Sequence, residues 1–356
     1  MTSSPLDRAD LRGRVHKALA AYLSTQAPRL EAVAETLGPV QEALSDFLLT
    51  GGKRMRPAFC YWGFRAAGGQ DSDESIAASA SLELLQACAL IHDDVMDGSD
   101  TRRGQPAMHR RFSGMHRSNG WQGDPEAFGM SAAVLLGDLC LIWADEVLNT
   151  SGMPTDALLR AQPVYDEMRV ELMAGQYLDL LEQAMGGGTV DSALRVARYK
   201  SAKYTIEKPL HMGAVLAGGD DLLLASLTAY GLPLGEAFQL RDDVLGVFGD
   251  PSETGKPAGD DLREGKRTVL VALARQKLST QARSLMDELL GDPELDESQV
   301  NIMRNTLREC GAVEQVERII DHNVGLAKEA LRDAPLAASA RAQLLELADT
   351  VTRRAY

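Results

Sequence analysis

Aspartates gather at the end of one long apolar segment, in a spacing that suits metal chemistry. Residues 76–97 (IAASASLELLQACALIHDDVMD) are apolar nearly all round, which predicts a buried helix. The segment ends in Asp93, Asp94 and Asp97, and Asp93 and Asp97 share one face because they lie four residues apart. Carboxylates at a helix C-terminus repel one another and the helix dipole, so a cation is expected beside them. By itself, this cluster is equally typical of a helix that emerges into solvent.

A second acidic pair interrupts another apolar segment. Asp242 and Asp243 lie within residues 235–248 (GEAFQLRDDVLGVF), about one turn after Gln239. Two helices that both carry paired aspartates predict a two-sided clamp, in which metal ions bridge carboxylates and the oxygens of a phosphate ester. Magnesium is the ion that such oxygen-rich sites favour.

Basic residues accompany both acidic clusters. A chain with a formal net charge of -14 repels a phosphate ester unless clustered cations cancel the repulsion locally. Each basic residue alone is typical of a solvated surface, but their joint placement beside the aspartates favours a phosphate site. They are Lys53, Arg56, Arg102, Arg103, Lys200, Lys256 and Lys266.

The elements that must position these side chains are helices. Apolar residues recur three and four apart with hardly any alternation, and only 5% of the residues are aromatic, so we predict an all-α protein. We expect one domain over residues 1–356, with a flexible segment at residues 1–12. Residues 113–124 look long and irregular, which favours a surface insertion over a mobile loop above a site. Helix breaks are predicted at residues 50–52, 68–69, 113–124, 151–152, 186–188, 218–219 and 249–259.

Bulk properties exclude several classes of protein. The acidic net charge argues against nucleic acid as a partner, because a phosphate backbone needs a basic surface. The cysteines Cys60, Cys88, Cys140 and Cys310 lie far apart, so we expect reduced thiols in a cytoplasmic protein. The charged N-terminus lacks the apolar core of a signal peptide, and no apolar run reaches the roughly 18 residues of a membrane span. No transmembrane segment is therefore expected.

Five motifs in order resemble those of the trans-isoprenyl diphosphate synthases, and most of all the bacterial geranylgeranyl diphosphate synthases. The resemblance covers residues 51–268, and its motifs are DDVMD (93–97), TRRGQP (101–106), FQLRDD (238–243), TGKP with GDDL (254–262) and GKRT (265–268). It implies a single large helical bundle around a deep central cavity, and a homodimer. It also implies that isopentenyl diphosphate and an allylic diphosphate are the substrates and that three magnesium ions are the cofactor.

The resemblance assigns a role to each matching position. The implied magnesium ligands are Asp93, Asp97 and Asp242. Asp243 and Asp261 would assist through bridging water or by supporting the direct ligands. The residues implied to contact the allylic diphosphate are Arg102, Lys200, Lys256 and Lys266. The residues implied to hold isopentenyl diphosphate are Gly52, Lys53, Arg56, Gln86 and Arg103. Ser201 and Gln239 would face the reacting carbon.

The second aspartate motif departs from the family pattern at one position. The family usually carries a third aspartate where this chain has Gly246. Asp242 and Asp243 remain, and Asp250 lies about one turn further along, so we expect activity to survive.

The implied reaction breaks a carbon–oxygen bond and forms an allylic cation away from water. Cations stabilise the charge that develops on the departing diphosphate, and the double bond of the second substrate attacks by proximity. The proton is lost to the released diphosphate, so no histidine base is required. We therefore interpret His92, next to Asp93, as a structural residue rather than a catalytic base.

Product length is expected to depend on side chains about one turn before Asp93. A helical turn is about 5.4 Å long, close to one extended isoprene unit, so these side chains form a floor for the growing tail. Here they are Cys88 and Ala89, which are both small. We therefore predict geranylgeranyl diphosphate as the product, with farnesyl or longer-chain diphosphates as alternatives.

Two further hypotheses stay open at this stage. A terpene cyclase also ionises a diphosphate with an aspartate cluster, but it has no use for Lys53, Arg56 and Arg103. A non-catalytic partner subunit would keep the helical fold and modulate an active synthase. The glycine at position 246 favours that reading slightly, whereas the two intact aspartate pairs argue against it.

Overall fold

The computed structural model of the protein describes residues 6, 8–250 and 259–352. Lys256 and the basic C-terminal residues 353–356 lie outside the described residues. So does part of the N-terminal segment 1–12, in which Arg8–Asp10 form a 3₁₀ turn and the first α-helix begins at Leu11.

The fold is all-α, as predicted. Residues Ala197–Glu207 form a π-helix, and Glu35–Leu37 form a second 3₁₀ turn. The α-helices are α1 (Leu11–Glu31), α2 (Gly38–Leu49), α3 (Met55–Ala66), α4 (Asp73–Asp97), α5 (Met108–Ser118), α6 (Pro125–Asn149), α7 (Thr155–Met185), α8 (Val190–Val196), α9 (Lys208–Leu216), α10 (Asp221–Phe248), α11 (Asp260–Arg263), α12 (Val269–Lys277), α13 (Thr280–Leu289), α14 (Glu297–Glu309), α15 (Ala312–Ala330) and α16 (Ala338–Thr352).

Two buried apolar clusters hold the helices together. The larger one joins α1 to α7, α9, the first part of α10 and α16. The smaller one joins the end of α10 to α12, α14 and α15. Because α10 contributes to both clusters, the segment that carries the second aspartate pair is fixed from two sides.

Local sequence signals explain where the two aspartate helices begin and end. The side chain of Ser72 accepts a hydrogen bond from the backbone N–H of Ser75 and caps α4, and Gly98 ends α4 in a left-handed conformation. Asp220 caps α10 in the same way by accepting from Leu223 N–H. The aspartate clusters therefore fall at the C-terminal ends of two long, mostly buried helices.

A short β-hairpin, with two residues in each strand, follows the first aspartate cluster. Strands β1 (Thr101–Arg102) and β2 (Gln105–Pro106) pair antiparallel, with Arg102 opposite Gln105. The connecting residues Arg103 and Gly104 both have positive φ (55° and 73°), as a type I′ turn requires. This hairpin was not foreseen from the sequence. It turns Arg102 back toward Asp94 on α4, and Arg103 toward the carbonyls of Phe47 and Thr50 at the end of α2.

The prediction of an irregular stretch at residues 113–124 was wrong in its first half. Helix α5 continues through Ser118, and irregular backbone is confined to residues 119–124. The reason is packing: Phe112 and His116, four residues apart, are both buried, and α5 packs along α6. Burial of that face outweighs the weak helix propensity of the Ser and Gly residues between them.

Within the described part of the chain, two helices have the length and hydropathy of a membrane span, namely Asp73–Asp97 and Pro125–Asn149. The most apolar window of the first is 72% buried within the protein, as expected of a core helix. Core helices of soluble proteins pass the same test, so length and composition alone are weak evidence for membrane insertion. The second helix, α6, leaves several apolar side chains exposed.

Candidate active site

One cavity of about 880 Å³ lies between the aspartate helices. Its walls come from α3, α4, α7, α8, the π-helix, α10, α11 and the segment before α12. Predicted site residues that line it are Lys53, Arg56, Gln86, Ala89, Asp93, Arg102, Lys200, Ser201, Gln239, Asp242, Asp243 and Lys266. The two aspartate clusters and the basic residues thus share one enclosure, as a two-sided clamp requires.

Asp93 is surrounded by cations. Its Oδ1 accepts hydrogen bonds from Lys200 Nζ at 3.0 Å and from Gln176 Nε2 at 3.1 Å, and Arg102 Nη2 lies 3.7 Å from Oδ2. Burial would raise the pKa of Asp93, but Lys200, Lys266 and Arg102 together outweigh it and hold that pKa well below its usual range. Asp93 is therefore ionised at every physiological pH.

Asp94, the third acid of the first cluster, has a structural role. It is fully buried and accepts hydrogen bonds from the Arg102 guanidinium, with Nε at 2.9 Å from Oδ1. Burial would lower the pKa of Arg102, but Asp94 and Asp93 raise it overall. Asp94 thus fixes Arg102 in place while part of the guanidinium still faces the cavity.

Asp97 is a buried carboxylate that the protein satisfies incompletely. Its side chain is 1% exposed, and neither carboxylate oxygen accepts a hydrogen bond from the residues that the structure describes. Lys266 Nζ lies 3.5 Å from Oδ2. Burial and repulsion from Asp93 raise the pKa of Asp97 to about 6, although Lys266 and Lys200 oppose the rise. A cation bound beside Asp97 is expected to stabilise its ionised carboxylate.

The second cluster also carries a carboxylate whose charged form is destabilised. Gln239 Nε2 donates to Asp243 Oδ1 at 2.7 Å, one helical turn earlier on α10. Burial raises the pKa of Asp243 to about 8, and the nearby Asp261 and Asp242 add to the rise, whereas the hydrogen bond from Gln239 opposes it. Asp242 itself lines the cavity.

This donor set fits magnesium. Hard divalent cations prefer carboxylate oxygens, and here the buried Asp97 oxygens lack hydrogen bonds while Asp243 is destabilised by neighbouring acids. Among the residues that the structure describes, no three Asp, Glu, His or Cys side chains form a ready-made metal-binding group. Lys266 Nζ contacts carboxylates from both sides, Asp97 at 3.5 Å and Asp261 at 3.4 Å.

A second group of cations occupies the other end of the site. Arg56 Nη2 donates to Thr205 Oγ1 at 2.8 Å, and its guanidinium lies 4.4 Å from the centre of the Tyr204 ring. Arg103 Nη1 donates to the backbone carbonyls of Phe47 at 3.1 Å and Thr50 at 3.2 Å. Burial lowers the pKa of Arg103, and the neighbouring arginines lower it further.

An ion pair that the sequence did not single out supports this end of the site. Arg54 Nη1 donates to Glu83 Oε2 at 2.5 Å, Arg54 Nη2 donates to the Leu48 carbonyl at 2.5 Å, and both charged side chains are at least 95% buried. A Cβ placed on Gly52 would lie 3.4 Å from Arg54 Nη1 and 3.4 Å from Arg103 Nη2. Gly52 therefore lies between two guanidinium groups, one from Arg54 and one from Arg103 of the hairpin.

The π-helix positions Lys200 and Ser201. Asp179 of α7 accepts a hydrogen bond from Lys200 Nζ at 2.6 Å, so this ammonium bridges α7 and α4. Burial would lower the pKa of Lys200, but Asp93 and Asp179 raise it above its usual value. Long π-helical stretches are rare and often mark functional sites, since they shift side chains out of the ordinary helical register.

The residues predicted to limit product length lie in different surroundings. Ala89 and Leu90 line the cavity, whereas Cys88 is fully buried outside it, with Sγ 3.7 Å from His92 Nδ1. Burial raises the pKa of the Cys88 thiol to about 12, which leaves it protonated and unreactive. His92 Nε2 lies 3.1 Å from the carbonyl of Val134.

Sequence reasoning missed several residues that contact the site. Gln176 and Asp179 reach it from α7, and Glu264 lies 2.6 Å from Lys266 Nζ. Polar residues at 176 and 179 lie three apart, the spacing of one helix face, and this was the signal available. Of the predicted residues, Gly52, Cys88, Asp97 and Arg103 lie beside the cavity rather than on its wall.

A helical cavity with carboxylates on two facing sides and cations at both ends defines a class of proteins that handle phosphate esters. The family model described as polyprenyl synthetase matches residues 39–307. The chain therefore belongs to the polyprenyl synthetase family.

Relatives of known structure and function agree with this assignment. A crystal structure of geranylgeranyl pyrophosphate synthase from Corynebacterium glutamicum, complexed with isoprenyl diphosphate and magnesium, is 42% identical, with a TM-score of 0.94 over 97% of this chain and 99% of that one. Geranylgeranyl diphosphate synthase from Mycobacterium tuberculosis is 32% identical over 92% of this chain and 87% of its own. Geranylfarnesyl diphosphate synthase from Aeropyrum pernix is 32% identical over 83% and 88%.

Proposed function

We propose that this protein is a trans-isoprenyl diphosphate synthase that condenses isopentenyl diphosphate with allylic diphosphates and releases geranylgeranyl diphosphate. The observation that carries the proposal is the sharing of one cavity by two aspartate clusters and two separate groups of cations. One group, around Lys200 and Lys266, suits the diphosphate that leaves. The other, around Lys53, Arg56 and Arg103, suits a diphosphate that stays.

The allylic diphosphate is held by residues that already lie around Asp93. Lys200, Lys266 and Arg102 donate to its oxygens and stabilise the negative charge that grows as the carbon–oxygen bond breaks. When bound, magnesium ions, of which the family resemblance implies three, supply further charge neutralisation, held by Asp93, Asp97 and Asp242 with Asp243 and Asp261 assisting. Lys256 belongs to the same predicted set, although it lies outside the described residues.

The second substrate is oriented by the opposite group of residues. Lys53, Arg56 and Arg103 bind its diphosphate beside Gly52 and Gln86, which leaves its double bond facing the allylic carbon. Ser201 and Gln239 face that carbon. The released diphosphate takes up the proton that is lost, and the apolar wall keeps water from the cation.

The apolar wall also supports the length of the product. Ala89 and Leu90 lie about one turn before Asp93 and line the cavity, and neither is aromatic. We propose that Ala89 limits the tail, with Cys88 supporting the wall from behind.

One assay tests the function directly. The purified chain is incubated with isopentenyl diphosphate and dimethylallyl, geranyl or farnesyl diphosphate, with and without magnesium, and the products are sized by chromatography. Geranylgeranyl diphosphate formed only with magnesium supports the proposal. Turnover of an allylic diphosphate without isopentenyl diphosphate would instead identify a terpene cyclase, and no turnover by the pure chain would identify a partner subunit.

We also propose that the protein works as a homodimer in the cytoplasm. Helices α6 and α7, joined by an ion pair between Arg169 and Asp145, both expose apolar stripes that a second copy would cover. The exposed side chains are Phe128, Met130, Val134, Leu135 and Ile142 on α6, and Val170, Met173, Tyr177, Leu181 and Met185 on α7.

Oligomeric state is tested by light scattering on charge variants. Leu135 is 67% exposed on α6, and Leu135→Glu is expected to yield monomers because it buries a charge in the interface. Leu222 on α10 is 65% exposed and offers a matched control, since Leu222→Glu places the same charge away from both stripes. A monomeric wild-type protein would refute the proposal.

A further inference from the structure

A group of five charged side chains lies where α7 meets the π-helix and α9, and none of them lines the cavity. Lys203 donates a hydrogen bond to Glu171 across the two helices. Lys208 Nζ lies 2.6 Å from Glu167 Oε2 and 3.7 Å from Glu171 Oε2. The fifth member, Glu207, is buried near the end of the π-helix. The proposed function assigns no role to any of the five.

Lys203 is the member that ties the π-helix to α7. Besides its bond to Glu171, its Nζ lies 4.0 Å from Glu207 Oε2 and 5.1 Å from the centre of the Tyr199 ring. Burial would lower the pKa of Lys203, but Glu171 and Glu207 raise it overall. The ammonium is therefore charged at physiological pH, and it connects a carboxylate of α7 to the π-helix.

The backbones of the two helices also touch. A Cβ built on Gly175 of α7 would lie 2.8 Å from Lys200 Cα, which is closer than a real side chain allows. Glu171, Gly175 and Asp179 lie four residues apart along one face of α7. In that order they meet the Lys203 ammonium, the Lys200 backbone and the Lys200 ammonium. Three successive contacts thus fix the position of the π-helix along α7.

That position matters at both ends of the cavity. Lys200 lines the end assigned to the allylic diphosphate and donates to Asp93. A few residues later, Thr205 accepts a hydrogen bond from Arg56, and the Tyr204 ring lies beside the same guanidinium. Arg56 belongs to the end assigned to isopentenyl diphosphate. A shift of the π-helix would therefore displace groups at both ends together.

We propose that the Glu171–Lys203 ion pair holds the π-helix in the position that binding of both diphosphates requires. This rests on the proposed function and adds to it two positioning residues that touch neither substrate. Long π-helical stretches are rare, so one of 11 residues depends on contacts with its neighbours. Without the pair, the segment relaxes along α7 and carries Lys200 and Thr205 out of place.

The test compares Lys203→Met with the wild type by calorimetry. Geranyl diphosphate with magnesium reports on the allylic end, and isopentenyl diphosphate reports on the other. Lys203→Met should weaken the binding of both by at least about tenfold, because each diphosphate loses a well-placed hydrogen bond to a charged group. Glu171→Gln breaks the same pair from α7 and should give the same two losses. Lys203→Arg can still pair with Glu171 and should bind both diphosphates like the wild type.

A double variant distinguishes positioning from simple stabilisation of the fold. If Lys203 acts through Lys200, the variant that carries both Lys200→Met and Lys203→Met should bind geranyl diphosphate no more weakly than Lys200→Met alone. Thermal unfolding monitors the fold of each variant. Lys328→Met is the matched control, since it removes a lysine from a half-exposed pair with Asp349, and it should leave both affinities unchanged.

Three results would overturn the proposal. A lower Tm with wild-type affinity for both diphosphates would mean that the pair only stabilises the fold. Loss of affinity for one diphosphate alone would contradict a shared position of the π-helix. A double variant that suffers the full loss of each single change would show that Lys203 acts independently of Lys200. If the wild-type protein binds neither diphosphate, the proposed function itself fails, which is a separate outcome.

Discussion

Removing the charge of Glu83 should weaken the binding of isopentenyl diphosphate, although Glu83 is not one of the residues assigned to that substrate. Glu83 is the buried partner of Arg54, and Arg54 lies against Gly52 in the loop that holds Lys53 and leads into α3, the helix that carries Arg56. Glu83→Gln keeps the shape of the side chain but leaves the Arg54 guanidinium, 4% exposed, without its counterion. The loop is then expected to lose its fixed position.

The size of the effect follows from burial. Breaking a buried ion pair by removing one partner costs about 3–5 kcal/mol in the free energy of unfolding, because an uncompensated charge stays inside. If about 1.4 kcal/mol of this loss is felt in the bound state, the KM for isopentenyl diphosphate rises about tenfold. The KM for the allylic substrate should change little, since Lys200 lies on the π-helix and Asp93 lies about three helical turns from Glu83 along α4.

Steady-state kinetics with each substrate varied in turn, together with thermal unfolding, measure these effects. Saturating isopentenyl diphosphate should raise the Tm of Glu83→Gln less than that of the wild type, because a ligand that binds more weakly stabilises the folded state less. Asp349→Asn is a control, since it removes an acid from a half-exposed pair with Lys328, 2.8 Å away on α15.

Equal changes in both KM values, or a lower Tm with both KM values unchanged, would refute the reasoning. In the first case the whole site is disturbed. In the second, the Arg54–Glu83 pair stabilises the fold without positioning the substrate loop.

Three further predictions concern other parts of the site. Ala89→Phe should shorten the product by at least one isoprene unit, and chromatography that shows an unchanged length contradicts the assignment of the cavity wall. Asp179→Asn should raise the KM for the allylic diphosphate more than that for isopentenyl diphosphate, because Lys200 loses one of its two carboxylate partners; equal rises would exclude this positioning role. In the metal-free protein, the pKa values of Asp97 and Asp243 are raised to about 6 and about 8, so the folded state binds more protons than the unfolded chain and its stability should fall as pH rises from about 4 to 8. Magnesium binding near pH 7 should therefore release protons, and binding heats that are identical in buffers of different ionisation enthalpy would contradict this.

Much of the site could be predicted from residue types and spacing. The helices that carry Asp93 and Asp242 were predicted from apolar periodicity, and both residues line one cavity. Helix breaks at glycine clusters were placed correctly at residues 50–52, 68–69 and 186–188, because positive φ at Gly51, Gly68 and Gly186 leaves few alternatives.

What the sequence could not supply was the choice of partner for each charge. Asp94 looked like a third member of the acidic cluster, yet it is the fully buried partner of Arg102. Similarly, nothing in the spacing shows that Glu83 pairs with Arg54, since the two residues lie 29 positions apart. Such pairings depend on how helices pack, and periodicity describes only the single helix.

The sequence also could not show what lies beside Gly246. The position looks like a loss when the motif is taken alone, whereas in space a Cβ there would meet the carboxylate of Asp261 on α11. Distances between elements of this kind become visible only in three dimensions.

Two lysines of the cavity wall bridge carboxylates and give the resting enzyme built-in counterions. Lys200 joins Asp93 to Asp179, and Lys266 lies among Asp97, Asp261 and Glu264, so opposing acids are tethered before any ion arrives. A cell that runs short of divalent ions would then hold a dormant but intact enzyme. If substrate and ions bind as proposed, each lysine would exchange a carboxylate for a phosphate oxygen, and no bare cluster of negative charge would be exposed.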